Sequence, residues 1–206
     1  MIAIIDYDAG NIKSVEKALL SMGEEPVLTR NPEEILQADH IILPGVGAFG
    51  SAMENLNKYK LTEVIREAAK KNIPILGICL GLQLLFERSE ESPGVSGLGI
   101  LEGSITRFSP EDGMKIPHMG WNSLKVASNS RLLKNLGDEP YVYFVHSYYL
   151  QAKDPSIVAA TAQYGVTIHA AVEKDNIFAC QFHPEKSSKT GLTILRNFLE
   201  IRGKKC

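Results

Sequence analysis

The segment Ile73-Pro74-Ile75-Leu76-Gly77-Ile78-Cys79-Leu80-Gly81-Leu82-Gln83 restricts this chain more than any other stretch. Its apolar, β-branched opening reads as a buried strand, and Leu82 to Phe86 reads as the first turns of a helix. Cys79 therefore falls on a strand-to-helix corner. Corners of this kind can lift a reactive side chain above a sheet on a strained turn, and they require small neighbours. Gly77 and Gly81 meet that requirement. The corner also puts the thiol at a helix N-terminus, where unpaired N–H groups and the helix dipole favour negative charge. Read alone, the stretch leaves two choices open: a reactive cysteine, or a small buried hydrophobe.

The surrounding pattern decides what kind of sheet holds this corner. Ile2 to Asp6, Pro26 to Thr29 and His40 to Leu43 read as short strands, and Ile12, Val15 and Leu19 mark the inner face of a first helix that Gly23 ends. Asn31 and Pro32 open a second helix, with Glu33 and Glu34 complementing its dipole. Pro44-Gly45-Val46-Gly47-Ala48-Phe49-Gly50 is a loop whose glycines could turn N–H groups toward a ligand. Helical patterns around Ala52 to Leu56 and Leu61 to Lys71 precede the strand Ile75 to Ile78. Such alternation predicts an α/β fold, a three-layer sandwich with a mostly parallel central sheet and helices on both faces. Ligands of such sheets bind at the carboxyl ends of the strands, where Cys79 and the glycine loop both lie.

Beyond Glu87 the pattern turns to strands, and the sheet is expected to become mixed. Candidates are Gly103 to Phe108, Trp121 to Val126, Tyr141 to His146, Ile157 to Tyr164, and a hairpin of Thr167 to Val172 with Ile177 to Phe182. Ser187-Ser188 begin a last helix with Ile194, Leu195, Phe198 and Leu199 on its apolar face, and 202–206 read as a frayed tail. With 206 residues and no interdomain linker, one domain over 1–206 is expected.

Charge and cysteine usage exclude several classes. Lys+Arg 22 against Asp+Glu 24, without long like-charge blocks, offers no nucleic-acid or membrane-surface footprint. Cys79, Cys180 and Cys206 are too few and too scattered for a disulfide framework, and Met1 to Asp6 lacks the basic and apolar regions of a signal peptide. A cytoplasmic protein is expected. No metal is expected either, since strand alternation points Cys180 and His183 to opposite faces and no second close Cys/His pair exists.

A cysteine that attacks an acyl carbon needs a partner to take and return a proton, usually histidine. Among five histidines, Cys180-Gln181-Phe182-His183-Pro184-Glu185 singles one out. Gln181 and His183 share a strand face, Pro184 restricts the backbone at the strand end, and Glu185 can reach the far ring nitrogen. His40 and His169 lie within strand patterns and read as packing or surface residues.

These residues resemble the class I, triad-type glutamine amidotransferases: Gly77-Ile78-Cys79-Leu80-Gly81-Leu82-Gln83 with His183-Pro184-Glu185 matches their pattern along almost the whole chain. Within that family, Pro44-Gly45-Val46-Gly47, Pro117-His118-Met119-Gly120-Trp121-Asn122 and His146-Ser147-Tyr148 look like the glutaminase subunits of imidazole glycerol phosphate synthases, which serve histidine biosynthesis. The resemblance implies Cys79 as nucleophile, His183 as general acid and base, and Glu185 as its orienting partner, without a cofactor. It implies an oxyanion hole from the backbone of Val46, Gly47 and Leu80, and L-glutamine bound by Gly47, Gln83, Ser147 and Tyr148. A peptide flip in the glycine loop would be promoted by a partner, a cyclase subunit of (β/α)8-barrel form. Asn11, His118, Met119, Trp121 and Lys186 are the implied contacts with it. Trp121 reads alternatively as a core aromatic, and Asp8 stands where many relatives carry Gly. Two other readings compete: a glutaminase subunit of an anthranilate or pyridoxal phosphate synthase, and a non-catalytic subunit of the same fold.

Overall fold

The computed structural model describes residues 1–109 and 114–203. Cys206 and most of the expected tail lie outside them. The first half of the chain runs β1 (Ile2–Ile5), α1 (Ile12–Ser21), β2 (Pro26–Thr29), α2 (Pro32–Leu36), β3 (His40–Leu43), α3 (Phe49–Lys58), α4 (Leu61–Lys70), β4 (Ile75–Ile78) and α5 (Leu80–Leu84). Then follow β5 (Arg88–Ser89), β6 (Gly103–Arg107), β7 (His118–Ser123), β8 (Lys125–Val126), β9 (Tyr141–His146) and β10 (Tyr148–Ala152). β11 (Val158–Tyr164), β12 (Val166–Lys174), β13 (Ile177–Cys180) and α6 (Ser188–Glu200) complete the described chain.

Eight strands form the main sheet in the order β2-β1-β3-β4-β13-β12-β11-β8. The five from β2 to β13 are parallel, and β12, β11 and β8 are antiparallel, which makes the sheet mixed as expected. β1 and β4 are buried at every position because helices cover both faces. Alternate residues feed two cores. Ile5, Ile41 and Leu43 pack with Leu56 and Ile65 of α3 and α4; Ile4, Ile42 and Leu76 pack with Leu19 of α1 and Phe198 of α6.

Local chemistry explains most boundaries. Asn31 caps α2 by accepting the Glu33 N–H through its side chain, with Pro32 at the first helical position. Three expectations change. α5 is a short helix that ends at Leu84, two residues before Phe86, with Leu85 as its C-cap. The single strand expected over Trp121 to Val126 is two, β7 and β8, and they join different sheets. β10 and β5 flank β6 in a small sheet that sequence pattern did not reveal, and among the described residues β7 pairs with β9 alone in a two-stranded ribbon.

Candidate active site

β4 carries its parallel register straight into the corner. Cys79 has φ 54° and ψ −108°, a conformation that costs free energy outside glycine and persists only where surroundings enforce it. Two contacts enforce it. The Cys79 N–H donates to the Cys180 carbonyl at the end of β13 (2.8 Å), and α5 lies so close to β3 that a Cβ on Gly81 would stand 1.9 Å from the Leu43 carbonyl oxygen. A Cβ on Gly77 would in turn meet the Gly81 carbonyl at 2.7 Å. The glycines flanking Cys79 are therefore required by contact.

After β13 the chain delivers His183 beside this corner. Its N–H donates to the Tyr143 carbonyl (2.9 Å) and its carbonyl accepts from Ser187 Oγ (2.6 Å), so the backbone is held on both sides. A single 3-10 turn, Pro184–Lys186, brings Glu185 back: His183 Nδ1 lies 2.8 Å from Glu185 Oε1, and Asn11 Nδ2 donates to the same oxygen at 2.8 Å. Both side chains of the His183–Glu185 pair are buried. His183 Nε2 is buried and makes no hydrogen bond of standard geometry. Burial opposes the imidazolium, yet the Cys79 sulfur and the Glu185 carboxylate outweigh it and raise the pKa of His183 to about 9.

Cys79, Leu80, Gln83, Ser147, Tyr148 and His183 border a cavity of about 310 Å3 with Val46 and Gly47 on its rim. The implied oxyanion and substrate residues are thus brought together. The Leu80 N–H, however, donates to the Gly45 carbonyl at 3.3 Å, so this donor is already engaged. The buried Tyr7 hydroxyl donates to the Pro44 carbonyl (2.6 Å) and pins the start of that loop. Tyr7 ionisation is disfavoured first by burial and then by the nearby Cys79 charge.

Three residues at the site were not singled out for it in the sequence. Gln181 lies fully buried, its Nε2 3.7 Å from Cys79 Sγ and its Oε1 accepting from Gln83 Nε2 (3.0 Å). Glu91 borders the cavity and accepts the Phe49 N–H at the start of α3 (2.8 Å). Tyr7 is the third. For Gln181 the signal was its shared strand face with His183; Glu91 and Tyr7 reach the site only through tertiary packing.

The residues implied for partner contact divide. Met119 and Trp121 stand 61% and 54% exposed on the outer face of the β7–β9 ribbon, and Lys186 is exposed beside Glu185. Asn11 instead spends its amide on Glu185. His118 needs correction: only 3% exposed, it is stacked between Phe144 and Tyr164, because a period of two that turns Met119 and Trp121 outward must turn His118 inward.

A cysteine on an elbow and a histidine oriented by a carboxylate, both bordering one cavity, form the arrangement that thiol-dependent acyl transfer requires. Residues 3–201 match the family Glutamine amidotransferase class-I, and the chain belongs to it. A crystal structure of a glutamine amidotransferase shares the fold, with TM-score 0.77 and 20% identity over 97% of this chain and 98% of that one. More specifically, the chain is similar to the imidazole glycerol phosphate synthase subunit HisH of Thermosynechococcus vestitus, 52% identical over 97% of this chain and 96% of the relative. It is similar also to the subunit of that name from Methanocaldococcus jannaschii, 49% identical over 98% of this chain and all of the relative.

Proposed function

We propose that this chain is the glutaminase subunit of an imidazole glycerol phosphate synthase, acting in the cytoplasm in histidine biosynthesis. It hydrolyses L-glutamine to glutamate and ammonia and passes the ammonia to a (β/α)8-barrel cyclase subunit. The observation that carries this reading is the pairing of a strained Cys79 with a His183 whose Nδ1 is committed to Glu185 and whose Nε2 is left for proton transfer at the same cavity. The near-half identity to HisH subunits over almost the full chain supports the choice of synthase.

Cys79 gives its thiol proton to His183 Nε2, and its sulfur attacks the side-chain amide carbon, forming a C–S bond while the carbonyl π electrons move to oxygen. Collapse of this oxyanion breaks the C–N bond, and His183 Nε2–H protonates the leaving nitrogen to give ammonia. Water then attacks the thioester, His183 takes its proton, and glutamate leaves as the sulfur is released. Glu185, itself held by Asn11, keeps the histidine tautomer and orientation through both halves. The oxyanion calls on the Leu80 N–H and on Val46 or Gly47, so the Gly45 carbonyl must first give up the Leu80 donor. That requirement accounts for a glutaminase held in check until a partner resets the loop. Gln83, Glu91, Gly47, Ser147 and Tyr148 fit the amino-acid end of the substrate.

Ammonia released into water is protonated and loses its nucleophilicity, so delivery needs a docked cyclase. The exposed Met119 and Trp121 fit that docking face, with Lys186 as a polar contact. The test is Cys79→Ala in the reconstituted complex. Glutamine-dependent synthesis is expected to disappear while synthesis from added ammonium salts persists, because only the ammonia source is lost. Equal glutamine-dependent rates for variant and wild type would overturn the triad; turnover stimulated only by a different synthase would overturn the choice of partner.

A further inference from the structure

A buried polar chain leaves the cavity through His146. His146 ends β9, borders the cavity and places Nδ1 2.8 Å from the Tyr148 carbonyl oxygen. A carbonyl only accepts, so Nδ1 carries the proton and Nε2 presents a lone pair. That Nε2 lies 2.9 Å from His118 Nδ1, which must therefore be the donor, leaving His118 Nε2 as an acceptor. Asn122 Nδ2 stands 3.3 Å from it and also donates to the Gln163 carbonyl (2.9 Å), while Asn122 Oδ1 accepts the Ser123 N–H (2.9 Å) and so fixes which way the amide faces. One assignment of protons satisfies every contact, and it needs both rings neutral. Burial supplies that condition, lowering His118 to about 4 and His146 to about 3.

The chain continues on the other side of the Tyr148 carbonyl. The same oxygen accepts from Gln83 Nε2 (3.2 Å), whose second hydrogen goes to Gln181 Oε1 (3.0 Å), and Gln181 Nε2 faces the Cys79 sulfur. Both amide hydrogens of Gln83 are committed, which leaves its Oε1, an acceptor, for a ligand. His118 and Asn122 sit on β7 on either side of the exposed Met119 and Trp121.

We propose that His118 and His146 are positioning residues: a tautomer-locked pair that holds the Tyr148 carbonyl, and through it the Gln83 amide, in one setting and ties that setting to the strand bearing Trp121. The proposal rests on the glutaminase reading and deepens it. Losing the lock frees the His146 ring and the Tyr148 carbonyl, so Gln83 samples settings that bind substrate less well. Gln83 meets the bound amino acid and not the bond being broken, so the loss is expected in KM rather than kcat.

Steady-state glutaminase kinetics in the complex with the cyclase provide one test. His118→Leu removes the donor at similar volume and is expected to raise KM for glutamine roughly tenfold, the size of one buried hydrogen bond left unmade, with kcat changed by less than about threefold. His118→Asn places an amide N–H where Nδ1 stood and is expected to restore KM to within about threefold of wild type. Equal KM values for His118→Leu and wild type, or no rescue by Asn, would overturn the proposal. Nitrogen-15 shifts of the two imidazoles in the unmodified protein at neutral pH provide a second test that needs neither folding of a variant nor activity: both rings should be neutral with the proton on Nδ1, and an Nε2–H form of either ring would overturn it. A wild-type complex inactive toward glutamine would sink the glutaminase reading while leaving this tautomer result readable.

Discussion

The Cys79 corner rests on strands of four residues, β4 and β13, and the ribbon on strands of six, β7 and β9, and the two regions differ in what they leave uncovered. At the corner, Cys79 and His183 are buried apart from the cavity they border, the Glu185 side chain is buried behind His183, and the backbone of Cys79 and His183 is held by hydrogen bonds within the chain. On the ribbon, one face is as closed as the corner, with Val142, Phe144, His118 and His146 packed inward, while the other shows Met119, Trp121 and Tyr141, the last 51% exposed. Exposed large apolar groups gathered on one face of an antiparallel pair mark a surface meant for another molecule. On the proposed function, the chemistry is held by packing against the chain itself, and association falls to a strand pair closed on one side only.

The comparison breaks first if the corner tolerates bulk. Gly81→Ala sets a methyl against the Leu43 backbone oxygen, where no side chain can move aside, and is expected to cost on the order of 3 kcal/mol or more; urea denaturation with a wild-type midpoint would show that α5 is not pinned to β3. A smaller effect should appear on the ribbon. Trp121→Ala is expected to weaken association with the cyclase by about 2 kcal/mol, roughly thirtyfold, with folding stability changed by no more than about 0.5 kcal/mol. Unchanged affinity by titration calorimetry would remove Trp121 from the interface, and a collapsed melting temperature would show that it supports the fold instead.

The smallest effect concerns charge inside the corner. His183 is raised to about 9, and the Cys79 sulfur contributes to that rise. Cys79→Ala should therefore lower the His183 pKa toward the ordinary value near 6.5, as read by NMR titration of the ring. The sign follows for stability. A raised histidine pKa stabilises the fold fully below about 6.5 and loses that contribution as pH rises through about 9, so the variant should lose it at lower pH. An unchanged titration would assign the whole rise to Glu185.

Much of the sheet could be read directly: β2, β3, β4 and β9 fall where their apolar runs end, because a short buried strand between turn residues has few other ways to be satisfied. β10 could not. Its residues from Tyr148 to Ala152 lack alternation, and it exists because β6 offers an antiparallel partner. His118 shows the opposite case, for period-two alternation alone could have turned it inward. Asn11 reads locally as a loop residue in the left-handed region; only folding brings it to Glu185, 174 residues away.

By itself the sequence determined the alternating α/β architecture, the elbow at Cys79 and the identities of His183 and Glu185. Each rests on residues close in the chain, where spacing, small neighbours and proline act directly on the backbone. The tertiary structure decided which donors are spent and which are available: Leu80 N–H on Gly45, Gln83 on Gln181 and Tyr148, His118 on His146. A hydrogen bond is chosen by what lies within about 3 Å, and across these distances of chain that neighbour exists only once the sheet has closed.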